Sequence, residues 1–145
     1  MSRFREWLAE GRPKLGAALL FASVLSIAML LYEGSGAPAA TGLPRFAGAD
    51  KLLHFAAHFW VSTLMFWGLA FQRVPVDARK RFVIAALIVL AVDLSGGIAV
   101  EFIQSSVGSA HGRVFDGKDV AANALGTVAA LLVSLATSIR LTRAV

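Results

Sequence analysis

Four long apolar stretches constrain this chain more than any other feature of its sequence. They cover approximately residues 15–32, 52–71, 82–103 and 120–139. Each is long enough to cross a hydrocarbon core of roughly 30 Å. Because backbone polar groups inside lipid must be paired within their own segment, each stretch is predicted to be a helix. The sequence therefore predicts an all-α, polytopic membrane protein built as a bundle of four transmembrane helices.

The composition agrees with a membrane protein. Hydrophobic residues make up 57% of the 145 residues and charged residues only 16%, and the mean hydropathy is +0.70. A soluble domain of this size needs more polar surface to cover its core. The length predicts one membrane domain over residues 1–145 and no separate soluble domain. The absence of cysteine excludes a disulfide framework and a thiol nucleophile.

The first apolar stretch has a second interpretation. It follows four basic residues and ends near Ala37-Pro38-Ala39, which resembles a signal-peptide cleavage site. However, the stretch is longer than the 7–15 residues typical of a signal peptide. We therefore predict that it is retained as a transmembrane span.

The basic residues predict the orientation of the bundle. Ten of the 14 lie on one side of the predicted membrane, in the N-terminal segment, the connection between spans two and three, and the C-terminal tail. The other two connections hold only Arg45, Lys51, Arg113 and Lys118. The positive-inside rule then places both termini in the cytoplasm and the connection between spans three and four outside.

This topology brings polar residues of three spans to one side of the membrane. Ionisable groups at membrane depth seldom face lipid, so they are predicted to point into the bundle. Gly126 and Ala130 form a small-xxx-small pair that would let span four approach a neighbour closely. The polar sets that each share a helix face are Asp50, His54 and His58; Asp93, Gly97, Glu101 and Gln104; and Asp119, Asn123 and Gly126.

Several short motifs in order resemble the VanZ-like family of small bacterial membrane proteins. They are DKLLHF at 50–55, EFIQ at 101–104, GRVFDGKD at 112–119 and the N-x-x-G of Asn123 to Gly126. The resemblance covers about residues 50–135 and implies a bacterial inner membrane protein. A member of that family is associated with low-level resistance to the glycopeptide teicoplanin. The positions that match the family's motifs are Asp50, Lys51, His54, Glu101, Gln104, Arg113, Asp116, Asp119 and Asn123.

Binding of an anionic envelope component is the first functional hypothesis. The ligand would be a membrane lipid headgroup, a lipid-linked phosphate or a cell-wall precursor. Arg113 could hold a phosphate or carboxylate bidentately, with Lys51 or Lys118 as a second charge. Gln104, Asp119 and Asn123 would offer the donors and acceptors that sugars or amides need, and Asp50 and Asp116 complete the predicted binding residues.

An acid–base enzyme acting on a lipid-linked phosphate is the alternative. Its catalytic residues would be His54 as a base, oriented by Glu101 or Asp119. A zinc-dependent version would use His54 and His58 with one of these carboxylates, but two histidines four residues apart are weak evidence. We therefore predict no metal and no cofactor.

Two further interpretations remain open. Asp93 near the middle of the membrane is typical of a proton or substrate path, and a transporter with only four spans would require a homodimer. Alternatively, the polar residues only fix the register of the helices, with Asp50 and Asp119 as helix caps.

The remaining features assign no further partner. The aromatic residues of span two are predicted to face lipid or the interface, and no nucleic-acid partner is expected because no nucleic-acid motif is present. These aromatic residues are Phe55, Phe59, Trp60, Phe66 and Trp67.

Overall fold

A computed structural model of the protein describes residues 10–35, 47–107 and 114–143, and these residues contain four helices and no strand. All four helices are long and apolar enough to cross a membrane. The chain is therefore an all-α, multi-pass membrane protein, which confirms the predicted four-helix bundle. Each helix begins two to four residues before its predicted apolar span. The helices are α1 (Pro13–Ser35), α2 (Ala49–Ala70), α3 (Ala78–Val107) and α4 (Gly117–Arg143).

Consecutive helices run in opposite directions. At one end of the bundle, the backbone N–H of Arg12 before α1 donates to the carbonyl of Phe71 after α2, at 2.7 Å. At the other end, the Gln104 amide near the end of α3 donates to the carbonyl of Leu30 near the end of α1, at 3.3 Å. This second end, where α1 and α3 finish and α2 and α4 begin, is called the site end below.

The apolar core fills the half of the bundle away from the site end. Phe66 is fully buried there and stacks on Phe82, with ring centroids 6.2 Å apart. The prediction that Phe66 faces lipid is therefore wrong, whereas Trp60 is 57% exposed, as expected for a residue facing lipid. The core consists of Phe66, Ala70, Phe82, Ala85, Ala86, Val89 and Leu131.

Helices α2 and α4 touch through their backbones at Gly126. A methyl group added there would overlap the carbonyl oxygen of Phe55 and the backbone nitrogen of Phe59. Ala130, one turn further along α4, is also buried. The predicted close approach of Gly126 and Ala130 to a neighbouring helix is thus confirmed, and the neighbour is α2. This contact brings the first turns of α4 beside the first turns of α2.

Candidate functional site

Lys51 is the centre of an ion-pair cluster at the site end. Its ammonium group lies 2.7 Å from a carboxylate oxygen of Asp50, 2.7 Å from Asp116 and 2.8 Å from Asp119. Asp50 is its neighbour on α2, whereas Asp116 and Asp119 lie immediately before and within the first turn of α4. Lys51 thus ties the start of α2 to the start of α4, and its charge is already neutralised by acids.

The same cluster keeps Asp116 in its charged form. The hydrogen bond from the Lys51 ammonium group, together with one from the backbone N–H of Lys118, holds the pKa of the Asp116 carboxyl group below its usual range. Lys51 bonds one of its oxygens and the Lys118 N–H bonds the other, at 2.7 and 2.8 Å. Asp116 is therefore a carboxylate at neutral pH and offers no proton to a ligand.

His54 lies one turn deeper, and Asn123 fixes its orientation. Nδ1 of His54 is 3.0 Å from Oδ1 of Asn123, while the amide nitrogen of Asn123 donates to the carbonyl of Gly97 at 3.4 Å. Because the Asn123 oxygen can only accept, Nδ1 of His54 must carry the proton. In the neutral imidazole, Nε2 of His54 then keeps its lone pair.

Two carboxylates face that lone pair. Nε2 of His54 is 3.7 Å from Oε1 of Glu101 and 3.6 Å from Oδ2 of Asp119. Both distances exceed the usual 2.7–3.2 Å of an N–H···O hydrogen bond. Glu101 is 4% exposed and Asp119 is 9% exposed. Three groups from α2, α3 and α4 therefore converge without hydrogen-bonding to one another.

Glu101 and Gln104 connect α3 to the rest of the site end. The second carboxylate oxygen of Glu101, Oε2, accepts a hydrogen bond from the backbone N–H of Asp116 at 3.3 Å. Gln104 is also buried, but its amide nitrogen is directed to Leu30 of α1. Its side-chain oxygen is buried with no hydrogen-bond partner among the described residues. Gln104 therefore lies on the predicted inward face, where its amide group secures α1.

A second polar network lies deeper in the bundle, around Asp93. One carboxyl oxygen of Asp93 accepts hydrogen bonds from Ser62 and, at 2.7 Å, from Thr127. The other lies 3.2 Å from Nδ1 of His58, without the alignment of a hydrogen bond. Helices α2, α3 and α4 thus each contribute to a network that satisfies Asp93 internally. His58 belongs to this network and is not part of the group around His54.

The site end brings together most of the residues singled out in the sequence. Arg113, proposed as the anion ligand, lies outside the described residues. Sequence reasoning missed Ser62 and Thr127, although each lies four residues after a polar residue already identified, His58 and Asn123. The predicted site residues connected at the site end are Asp50, Lys51, His54, Glu101, Asp116, Asp119 and Asn123.

Comparison of the chain with models of protein families, with curated proteins and with solved structures gives no match. The resemblance to the VanZ-like family therefore stays a prediction from the motifs.

Proposed function

We propose that this chain is a VanZ-like protein of a bacterial inner membrane whose site end binds an anionic envelope component. The ligand class is a lipid-linked phosphate, a phospholipid headgroup or a cell-wall precursor. The observation that carries the proposal is the convergence of side chains from α2, α3 and α4 on one polar cluster, with Lys51 at its centre. Charged groups are costly inside a membrane protein, and their concentration there favours a ligand.

The location of the site end supports a ligand from the envelope. Four basic residues lie in the two connections on the side of the site end, against ten on the opposite side. The positive-inside rule therefore predicts that the site end faces away from the cytoplasm. A headgroup in the outer leaflet would lie at the depth of Lys51 and His54. The hydrocarbon chains attached to it would stay in the surrounding bilayer.

The charge balance determines how an anion could bind. Three carboxyl groups, those of Asp50, Asp116 and Asp119, surround the ammonium group of Lys51, and a fourth, that of Glu101, lies beside His54. Lys51 alone therefore cannot attract an anion, and additional positive charge is required. Arg113, in the connection between α3 and α4, would supply it, because guanidinium groups bind phosphate oxygens in pairs.

The first test is the substitution Arg113→Ala. We expect it to weaken binding of a polyprenyl phosphate at least about tenfold, because a charge-assisted pair contributes roughly 1.5–3 kcal/mol. Binding is measured by titrating the lipid into purified protein in detergent. Arg79→Ala, an exposed arginine near the start of α3, is the matched control. Equal weakening by both substitutions would show that binding follows net charge and would contradict the proposal.

A second candidate is an acid–base enzyme acting on a lipid-linked phosphate. The observation that favours it is the orientation of His54, whose Nδ1 faces the Asn123 oxygen, so that the neutral imidazole has its lone pair on Nε2. Such an imidazole can remove a proton from an attacking water or hydroxyl group. A serine nucleophile is not favoured, because the hydroxyls of Ser105 and Ser106 donate to the carbonyl of Phe102 in their own helix.

His54→Ala tests this candidate. If His54 is the base, release of phosphate from a polyprenyl phosphate by purified protein falls about 100-fold or more. Ser105→Ala, close to the site on α3, is expected to keep the full rate. Absence of turnover in the unsubstituted protein would remove the enzyme hypothesis and leave the binding proposal intact. The transport function and the homodimer stay predictions. Asp93, on which the transport hypothesis depends, has its hydrogen-bond partners within the bundle.

A further inference from the structure

Three electron-pair donors face one another at the site end. His54, Glu101 and Asp119 each have a ligand atom within 4.8 Å of the other two, and Nε2 of His54 faces Oε1 of Glu101 and Oδ2 of Asp119. Nδ1 of His54 donates to Oδ1 of Asn123 on the far side of the ring. In the neutral imidazole, Nε2 therefore presents a lone pair to the two carboxylates. Facing lone pairs repel one another. A cation placed between them would be attracted to all three groups and would offset that repulsion.

The distances fit a small divalent ion. Zinc binds histidine nitrogen and carboxylate oxygen at about 2.0–2.2 Å, so two ligand atoms of a tetrahedral site are roughly 3.3 Å apart. Nε2 of His54 is 3.6 and 3.7 Å from its two carboxylate neighbours. Inward movements of a few tenths of an ångström would bring these two distances to the zinc geometry, and the two carboxylates, within 4.8 Å of each other, would close on the ion as well.

Each of the three groups is also held from outside the cluster. Asn123 bonds the far nitrogen of His54, the backbone N–H of Asp116 bonds the far oxygen of Glu101, and Lys51 pairs with the far oxygen of Asp119. Metal sites in proteins characteristically orient their ligands through such outer contacts. In each of the three residues, the atom that these contacts leave over is the one that faces the cluster.

Burial supplies an independent reason for a cation. The side chain of Glu101 is 5% exposed, and its Oε1 lies 3.7 Å from Nε2 of His54. A buried carboxylate is costly unless a positive charge or a metal compensates it. Lys51 cannot serve here, because its ammonium group is occupied by Asp50, Asp116 and Asp119.

We propose that His54, Glu101 and Asp119 bind a divalent transition-metal ion of the zinc class. Three protein ligands leave at least one coordination position open for water or for an oxygen of a ligand. The ion would add positive charge to the acidic site end. The metal site does not depend on the proposed function. The identity of the ligand in the open coordination position does depend on that function.

The experiment uses the full chain without a polyhistidine tag, purified in detergent and freed of metal with a chelator. Zn²⁺ is titrated calorimetrically, and Co²⁺ is titrated while its visible absorption reports the coordination geometry. We expect binding of one ion per chain. The affinity should fall at least about tenfold in each of His54→Ala, Glu101→Gln and Asp119→Asn, and by about 10–100-fold in Asn123→Ala, which removes the outer contact of His54.

The matched control is His58→Gln, because His58 is the other histidine on the same face of α2 and pairs with Asp93. It should leave zinc affinity within about twofold of the unsubstituted protein. Glu101→Gln and Asp119→Asn keep the shape of the side chains, and circular dichroism with size exclusion confirms that each variant is folded. Equal loss in His58→Gln, or an affinity unchanged by His54→Ala, would overturn the metal site. Tighter binding of Mg²⁺ than of Zn²⁺ would also overturn it, because magnesium prefers oxygen ligands.

Failure of the metal site and failure of the proposed function are separable. Zinc binding is measured without lipid, and polyprenyl phosphate binding is then measured with and without zinc. Zinc binding that never strengthens lipid binding would support the metal site and contradict the role assigned to its open position. Lipid binding that depends on Arg113 in metal-free protein would support the proposed function even if zinc did not bind.

Discussion

Gly126→Val is expected to prevent the bundle from assembling in its native form. A side chain at this position would occupy the space of the Phe55 carbonyl oxygen and the Phe59 backbone nitrogen. Backbone atoms of a helix cannot move aside as a side-chain terminus can, so α2 and α4 would have to separate. We expect a loss of about 3 kcal/mol or more in the free energy of unfolding, at the upper end of the range for overpacked cores.

Unfolding in sodium dodecyl sulfate, followed by circular dichroism, measures this loss. Gly96→Ala is the control, since a methyl group on Gly96 meets nothing within 4 Å among the described residues. Alanine is the better helix former by about 1 kcal/mol, so the control should be as stable as the unsubstituted protein or more stable. Separation of α2 from α4 would also move His54 away from Asp119, so Gly126→Val should lose zinc binding as well. A stable Gly126→Val protein would contradict the observed approach of the two helices.

The number of helices and the inward faces could be predicted from the sequence because both follow from local patterns. Hydropathy over windows of about 20 residues fixes the spans. The cost of a charge facing lipid fixes which side of each helix turns inward. Asp93, Gly97, Glu101 and Gln104 were assigned to one inward face of α3, and all four are buried.

The position of the aromatic residues could not be predicted in the same way. In a membrane, both the lipid and the interior of the bundle are apolar, so hydrophobicity does not separate one environment from the other. Phe66 and Trp60 lie on the same helix and are equally suited to lipid by composition, but Phe66 is buried and Trp60 is exposed. The difference depends on how α2 and α3 are rotated against each other, which single-helix patterns do not specify.

The sequence also could not predict which side chains pair with one another at the site end. Lys51 was considered a free charge for an anion, but the start of α4 brings Asp116 and Asp119 against it. His54 and His58 were paired as candidate metal ligands because they lie four residues apart. The adjoining helices separate them, since Glu101 and Asp119 surround His54 while Asp93 lies beside His58. Which side chains pair depends on how far α2, α3 and α4 are shifted along their axes relative to one another.

Asp93→Ala is expected to cause the second large loss of stability. The substitution removes the acceptor for the hydroxyl of Ser62 and the partner of the His58 ring, both of which are buried. Thr127 keeps a hydrogen bond to the carbonyl of Asn123 at 3.1 Å, so it loses less. A buried donor left without an acceptor, here the hydroxyl of Ser62, costs about 1–3 kcal/mol, and the lost contact with the His58 ring adds to it, so we expect a destabilisation of roughly 3 kcal/mol.

The same unfolding measurement checks this loss, with Ser95→Ala as the control because Ser95 lies two residues along α3 and is exposed. Asp93→Asn should be less damaging than Asp93→Ala, since the amide oxygen can still accept from Ser62. Zinc binding by folded Asp93→Asn protein should be unchanged, because Asp93 makes no contact with His54, Glu101 or Asp119 among the described interactions. An Asp93→Ala protein as stable as Ser95→Ala would mean that this network does not hold α2, α3 and α4 together. The stability of the bundle would then rest on the apolar half around Phe66 and on the α2–α4 contact at Gly126.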